Sequence, residues 1–89
     1  SMATKNTLRE RIAEKLKSNV GVMSVWIEDS PTQVNIYVVV NNVRSETLKP
    51  ILDMPFYLES IYDQVEFNVE VNSGNLEDKI KRNLVQKIF

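Results

Sequence analysis

Between Val20 and Asn41 the chain has two apolar-rich runs separated by a short polar stretch. Both runs are rich in β-branched and aromatic residues, which fit a pleated surface, and they predict strands over residues 22–27 and 34–40. The Asp-Ser-Pro sequence at 29–31 predicts the turn of a β-hairpin. With Glu28 opposite Gln33, three apolar pairs fall on one face of this hairpin: Ile27 with Val34, Val25 with Ile36, and Met23 with Val38.

The other face of the predicted hairpin is unusually apolar for a face in contact with water. Beside Ser24 and Asn35, the alternation places four further side chains on it: Val22, Trp26, Tyr37 and Val39. Together they form an apolar patch near the size that marks interaction sites on monomers. The four residues are therefore the candidate interface, and Trp26 is the expected anchor. The alternatives are that one aromatic ring folds over the other, or that another part of the chain covers this face.

A helix is predicted before the hairpin, over residues 7–18. Thr7 and Glu10 match a capping box. Leu8, Ile12 and Leu16 form its apolar stripe at helical spacing. Asn19 or Gly21 is expected to take the left-handed conformation that ends the helix.

Residues 44–64 contain two prolines, which lack a backbone donor and collide with the preceding helical turn. We expect two short helical pieces here, the first over 46–53 and the second beginning with Pro55, with Asp53 as its cap. The second piece is expected to direct four side chains inward: Phe56, Leu58, Ile61 and Tyr62.

Residues 65–72 alternate apolar and polar without exception, which predicts a strand with one face in the core. The inward side chains are those of Val65, Phe67, Val69 and Val71. After the turn at 73–75, a final helix is predicted, with Asn75 as its cap and an apolar stripe of Leu76, Ile80, Leu84 and Ile88.

In order, these elements predict a two-layer α+β sandwich, in which helices cover one face of a three-stranded sheet (α-β-β-α(α)-β-α). Over residues 7–71 this order resembles the K-homology fold of the type that begins with a helix, and also ribosome-binding factor A. In K-homology domains a Gly-x-x-Gly loop clamps the nucleic-acid backbone. The corresponding Pro-Ile-Leu-Asp-Met-Pro at 50–55 has no glycine, so no binding residue carries over. The same order also resembles oligomerising modules of ring-forming secretion proteins.

The 89 residues and 43% hydrophobic content predict a single domain over 1–89, and Ser1 before Met2 is typical of a cloning remnant. The absence of cysteine and histidine excludes disulfides, thiolate and imidazole metal ligands, and the commonest general acid–base. No signal peptide is evident, and no apolar run approaches the roughly 20 residues that span a bilayer. We therefore expect a cytoplasmic protein with no membrane partner.

Charge is unevenly placed along the chain although the net charge is −1. Basic residues predominate in 1–17 and 76–89, and acidic residues predominate in 44–75. If the terminal helices packed side by side, a basic patch could form from Arg9, Arg11, Lys81 and Arg82 and engage RNA, anionic lipid or an acidic protein. The pI of about 5.4 and the lack of aromatics among these charges disfavour nucleic acid.

Glu66 and Glu70 lie on the outer face of the third predicted strand, with Asn68 between them on that face. Such a pair could hold a divalent cation or act as an acid–base pair, but carboxylates on a wet face more often protect the strand edge. The sequence therefore predicts a non-enzymatic protein-interaction or oligomerisation module, acting as a homodimer, with no cofactor, metal or catalytic residue. The alternative is a nucleic-acid- or ribosome-associated domain, and a carboxylate-dependent enzyme ranks third.

Overall fold

The computed structural model describes residues 2–74 and 85–89, with side chains from Thr7 onward. Within these ranges the chain forms two helices and four strands. In chain order they are α1 (Met2–Leu16), β1 (Val22–Asp29), β2 (Gln33–Val40), α2 (Ser45–Glu59), β3 (Glu66–Asn72) and β4 (Val85–Lys87). The predicted α+β class is confirmed.

The four strands form one mixed sheet in the order β3-β2-β1-β4. β1 pairs antiparallel with β2 and β4, and β2 pairs parallel with β3. The prediction of three strands is therefore wrong. Residues 85–87 lie in β4 and not in the expected final helix, because the backbone of Val25 bonds to Ile88 and Phe89 and holds this segment along β1. Residues 75–84 of that predicted helix, including Asn75, Leu76, Ile80 and Leu84, lie outside the described residues, and Ile88 packs against the core from the segment that follows β4.

The hairpin register differs from the prediction by two residues. Ile27 pairs with Ile36 and Val25 with Val38, and the loop shortens to residues 30–32, where Ser30 N–H and Oγ both donate to the carbonyl oxygen of Gln33. A shift of two keeps every side chain on its predicted face, since side chains alternate with a period of two. The core face of the central residues was therefore predicted correctly even though the partners were not.

A β-bulge at Met23 changes the start of β1. Val22 pairs with Val40 and Ser24 with Val39, so Met23 is an extra residue without a partner in β2. Met23 is 63% exposed, where the prediction placed it in the core. Val22 packs against the core, where the prediction placed it on the opposite face.

The core lies between the helices and one face of the sheet. It is formed by the apolar stripe of α1, the inner side of α2, and every second side chain of the strands. Its buried members are Leu8, Ile12, Leu16, Val25, Ile27, Val34, Ile36, Val38, Val40, Ile51, Met54, Leu58 and Phe67. The predicted stripe of α1 and the inward position of Phe67 are confirmed, whereas Phe56 and Ile61 are exposed and not inward.

α1 begins five residues before Thr7, so the predicted capping box lies inside the helix. Neither Asn19 nor Gly21 has a positive φ, and Gln64 is the one described residue that does. The expected left-handed end of the helix is therefore wrong. Gly21 is needed instead for close approach, because a Cβ atom on Gly21 would lie 2.9 Å from Cβ of Thr47.

α2 is one helix through both prolines, where two pieces with a cap at Asp53 were predicted. Each proline removes a backbone hydrogen bond and costs about 3 kcal/mol in a helix interior. Burial of a large apolar side chain contributes about 1.5–3 kcal/mol, and Ile51, Met54 and Leu58 are all buried. The burial of the whole apolar side of α2 therefore offsets the cost of the prolines.

Candidate functional site

Trp26 and Tyr37 lie directly opposite each other on β1 and β2, on the sheet face turned away from the helices. We call this surface the open face. Trp26 Nε1 donates to Ser24 Oγ at 3.0 Å, and the ammonium group of Lys87 lies 5.6 Å from the centre of the indole ring. Both rings are half-buried. The anchor of the predicted interface thus has contacts within its own chain.

A polar network lies beside this aromatic pair. Glu28 Oε1 accepts hydrogen bonds from Asn35 Nδ2 at 3.0 Å and from the Tyr37 hydroxyl at 3.1 Å. Asn35 Oδ1 accepts from Asn68 Nδ2 at 3.3 Å and from Gln33 Nε2 at 3.4 Å. The network spans β1, β2 and β3, so one end of the open face is polar and internally hydrogen-bonded.

The candidate interface keeps three of its four residues on one surface. Trp26, Tyr37 and Val39 share the open face, and Val22 packs against the core on the other side of the sheet. The assignment of the three remaining residues as an interface stays a prediction.

The candidate basic patch is only partly described, because Lys81 and Arg82 lie outside the described residues. The guanidinium group of Arg9 donates to Oε1 of Gln86 and links α1 to β4. Arg11 is half-buried beside Tyr57 and Tyr62. Both arginines are therefore used in contacts within the fold.

Arg11 lies where α1 meets α2. The hydroxyl of Tyr57, and secondarily that of Tyr62, raises the pKa of Arg11 above its ordinary value by stabilising the charged guanidinium. Nε of Arg11 and the hydroxyl of Tyr62 are both buried, and neither makes a hydrogen bond of normal geometry with a described residue. The two groups are therefore close to each other without being hydrogen-bonded through these atoms. Because arginine is protonated at any ordinary pH, the shift introduces no pH switch.

A groove of about 350 Å³ follows the same helix junction. Its lining residues are Lys15, Lys49, Pro50, Asp53, Met54 and Tyr57. The ammonium group of Lys15 lies 4.3 Å from the centre of the Tyr57 ring, which holds this lysine over the aromatic face. The groove identifies the flank of α2 that faces α1.

The opposite flank of α2 carries a second apolar stripe. At 100° per residue, Leu48, Leu52 and Pro55 lie on the side away from the groove. Phe56 lies about 40° beyond Leu52, on the solvent side of the helix opposite the buried residues. Leu52 is 51% exposed and Phe56 is 73% exposed. α2 contacts β3 at one edge of the sheet, whereas α1 contacts Gln86 of β4 at the other edge. Because this flank of α2 faces away from α1, it lies over the β3 edge.

β3 is an edge strand of the described sheet, and its apolar side is incompletely covered. Phe67 is buried, but Val65, Val69 and Val71 are only half-buried where they pack against the core. We call the flank of α2 that carries Leu52, the adjacent Phe56 on the solvent side of α2, and the outer edge of β3 the β3-edge surface. The prediction from sequence missed it because Phe56 was assigned inward, although the spacing of Leu52 and Phe56 by four residues is a visible signal.

Glu66 and Glu70 are exposed on β3, as predicted for a wet face. Among residues 7–74 and 85–89, no group of three acidic, cysteine or histidine side chains is arranged to hold a metal ion. In the same part of the chain, no helix has the length and apolar character needed to cross a membrane.

No protein-family model and no curated protein matches the chain. The fold is similar to that of a chain in a solved structure of tri-AMPylated Shewanella oneidensis HEPN toxin in complex with MNT antitoxin. The TM-score is 0.64 at 11% sequence identity, over 94% of this chain and 71% of the matched chain. At this identity the likeness concerns the fold.

This match corrects the expectation that the chain is not an enzyme. That expectation rested on the absence of cysteine and histidine and on the lack of a recognisable catalytic motif. The matched fold comes from a toxin–antitoxin complex whose toxin carries a covalent nucleotide modification. The expectation that the protein is non-enzymatic is therefore contradicted. What the comparison shows for this chain is the shared fold.

Proposed function

We propose that the protein is a protein-binding domain and that the β3-edge surface is its binding surface. The observation that carries this proposal is the exposure of Phe56, a large aromatic side chain that is 73% accessible on a well-formed helix. Exposed apolar groups that cluster beside an uncovered core margin are typical of association sites.

The neighbouring groups extend this surface beyond a single side chain. Leu52 lies one turn before Phe56, and half-buried valines of β3 lie below the flank of α2 that carries Leu52. An aromatic side chain with apolar neighbours is typical of the centre of a protein–protein interface. Glu59 supplies a charged group beside Leu52 on α2, and Glu66 and Glu70 supply charged groups on the other side of β3.

The β3-edge surface is favoured over the open face for a physical reason. On the open face, Trp26 has a hydrogen bond and a cation–π contact, and the Glu28 network pairs its polar groups. Phe56 has no comparable aromatic or cationic contact among the described residues. The matched chain is itself part of a protein complex, in line with the use of this architecture in association.

The test compares Phe56→Asp with Val20→Asp. Both replace an exposed apolar residue by aspartate, but Val20 lies in the α1–β1 loop, outside the proposed surface. Proteins captured by the wild-type chain are purified, and their affinities for the wild type and for both variants are measured by calorimetry. We expect Phe56→Asp to weaken binding at least about tenfold, since loss of an aromatic anchor costs about 2 kcal/mol or more.

Circular dichroism of both variants is expected to match the wild type, because neither side chain is part of the core. Equal affinities of the wild type and Phe56→Asp for every reconstituted partner would contradict the proposal. Loss of binding with Val20→Asp alone would place the binding surface elsewhere.

A further inference from the structure

We propose that the partner at the β3-edge surface is a second copy of this chain, with β3 paired antiparallel to β3 of that copy about a two-fold axis at Val69. The inference rests on the proposed function and specifies its partner. Pairing of this kind joins the described four-stranded sheets of the two copies into one continuous sheet.

The backbone of β3 has hydrogen-bonding groups in position for this pairing. Glu66 N–H donates to Thr32 O, so Glu66 directs its backbone groups toward β2. Because these directions alternate along a strand, Phe67, Val69 and Val71 direct their N–H and C=O groups toward the outer edge. In a pairing centred on Val69, these three residues meet the same three residues of the second copy, which closes six backbone hydrogen bonds.

The side chains select this register by charge. With the axis at Val69, Glu66 lies opposite Asn72 of the second copy, and Asn68 lies opposite Glu70 of the second copy, so each carboxylate meets an amide. With the axis at Asn68 instead, Glu66 would face Glu70 of the second copy. Like charges directly opposite each other on adjacent strands are destabilising.

In the same register, the apolar side chains of β3 in one copy cover the exposed margin of the core in the other. Val69 meets its own copy, and Phe67 meets Val71 of the second copy, so the half-buried valines gain cover. The two α2 helices would then lie side by side on the same layer, with the flank of Leu48, Leu52 and Pro55 of each copy between them and Phe56 at the solvent side of this contact. One contact therefore covers both the strand edge and the exposed stripe of α2.

The experiment measures the dimer dissociation constant of purified chains by analytical ultracentrifugation. We expect the wild type to dimerise and Asn68→Glu to weaken the dimer about tenfold, because it places carboxylates opposite each other at two symmetry-related positions. Adding Glu70→Lys to Asn68→Glu should restore the affinity through two new opposite-charge pairs. Since the double variant shares any loss of the Asn68–Asn35 hydrogen bond, the recovery isolates the contact between copies.

Glu70→Lys alone identifies the register. With the axis at Val69 it leaves the dissociation constant within a few-fold of the wild type, because the introduced lysine then faces the amide of Asn68. A clear strengthening of the dimer would support the axis at Asn68 and overturn the proposed register.

A wild type that stays monomeric at high concentration would overturn the self-pairing. The proposed function is then decided separately, by whether Phe56→Asp alters the affinity for another protein. A dimer that is insensitive to Asn68→Glu would also overturn this interface.

Discussion

Replacing Phe67 by alanine is expected to lower the free energy of unfolding by about 3–5 kcal/mol, the usual cost of removing a buried aromatic ring. Phe67 is 4% exposed, and its ring lies 6.0 Å from the ring of Tyr62. Since a domain of this size is stable by roughly 5–15 kcal/mol, the loss is a large part of the total. Denaturant unfolding monitored by circular dichroism measures it.

Phe56→Ala is the matched control for this prediction. The substitution is the same, but Phe56 is exposed, so we expect its loss to stay below about 1 kcal/mol. Both variants are compared with the wild type at concentrations where all three are monomeric by light scattering. A larger loss for Phe56→Ala than for Phe67→Ala would mean that the faces of β3 and α2 are assigned incorrectly.

Gly21→Ala is expected to destabilise the fold by about 2–3 kcal/mol, through overpacking at the start of α2. The added Cβ would lie 2.9 Å from Cβ of Thr47, and still closer to its Oγ1 and Cγ2. Thr47 has little freedom to move, because it is buried, its Oγ1 donates to Asn42 Oδ1 at 2.8 Å, and its carbonyl accepts from Asn19 Nδ2 at 2.9 Å.

Two comparisons isolate this steric cause. Gly74→Ala is the matched control, since its Cβ would meet no atom of the described residues within 4 Å, and we expect a change of at most about 0.5 kcal/mol. Thr47→Ala removes the two closest atoms, so the double variant with Gly21→Ala should lose at least about 1 kcal/mol less than the sum of the two single losses. Strict additivity in thermal or denaturant unfolding would contradict a direct contact between positions 21 and 47.

By itself, the sequence determined which side of α1, β2 and β3 enters the core. The alternation in β3 and the stripe of Leu8, Ile12 and Leu16 are local patterns with the periods of a strand and a helix, so they hold whatever the neighbours are. The absence of cysteine and histidine likewise excludes thiolate and imidazole chemistry by the chain's own side chains. The absence of these two residue types did not establish that the chain lacks enzymatic activity.

Only the tertiary structure decided how these elements are paired. A two-residue shift of the hairpin preserves every face, so periodicity could not distinguish Ile27–Ile36 from Ile27–Val34. The bulge at Met23 depends on how β1 fits β2, and it moved Val22 from the open face to the core. The candidate interface therefore kept Trp26, Tyr37 and Val39 on one face and lost its fourth member.

The β3-edge surface also required tertiary information. Whether α2 continues through Pro50 and Pro55 depends on the burial of its inner side, and only the uninterrupted helix places Leu52 and Phe56 one turn apart on the exposed side of α2. Within the described sheet, β3 pairs with β2 alone, which places β3 at an edge. Local sequence determined the faces of α1, β2 and β3, because these follow from backbone periodicity, whereas edges, register, bulges and exposed stripes depend on which distant segments come into contact.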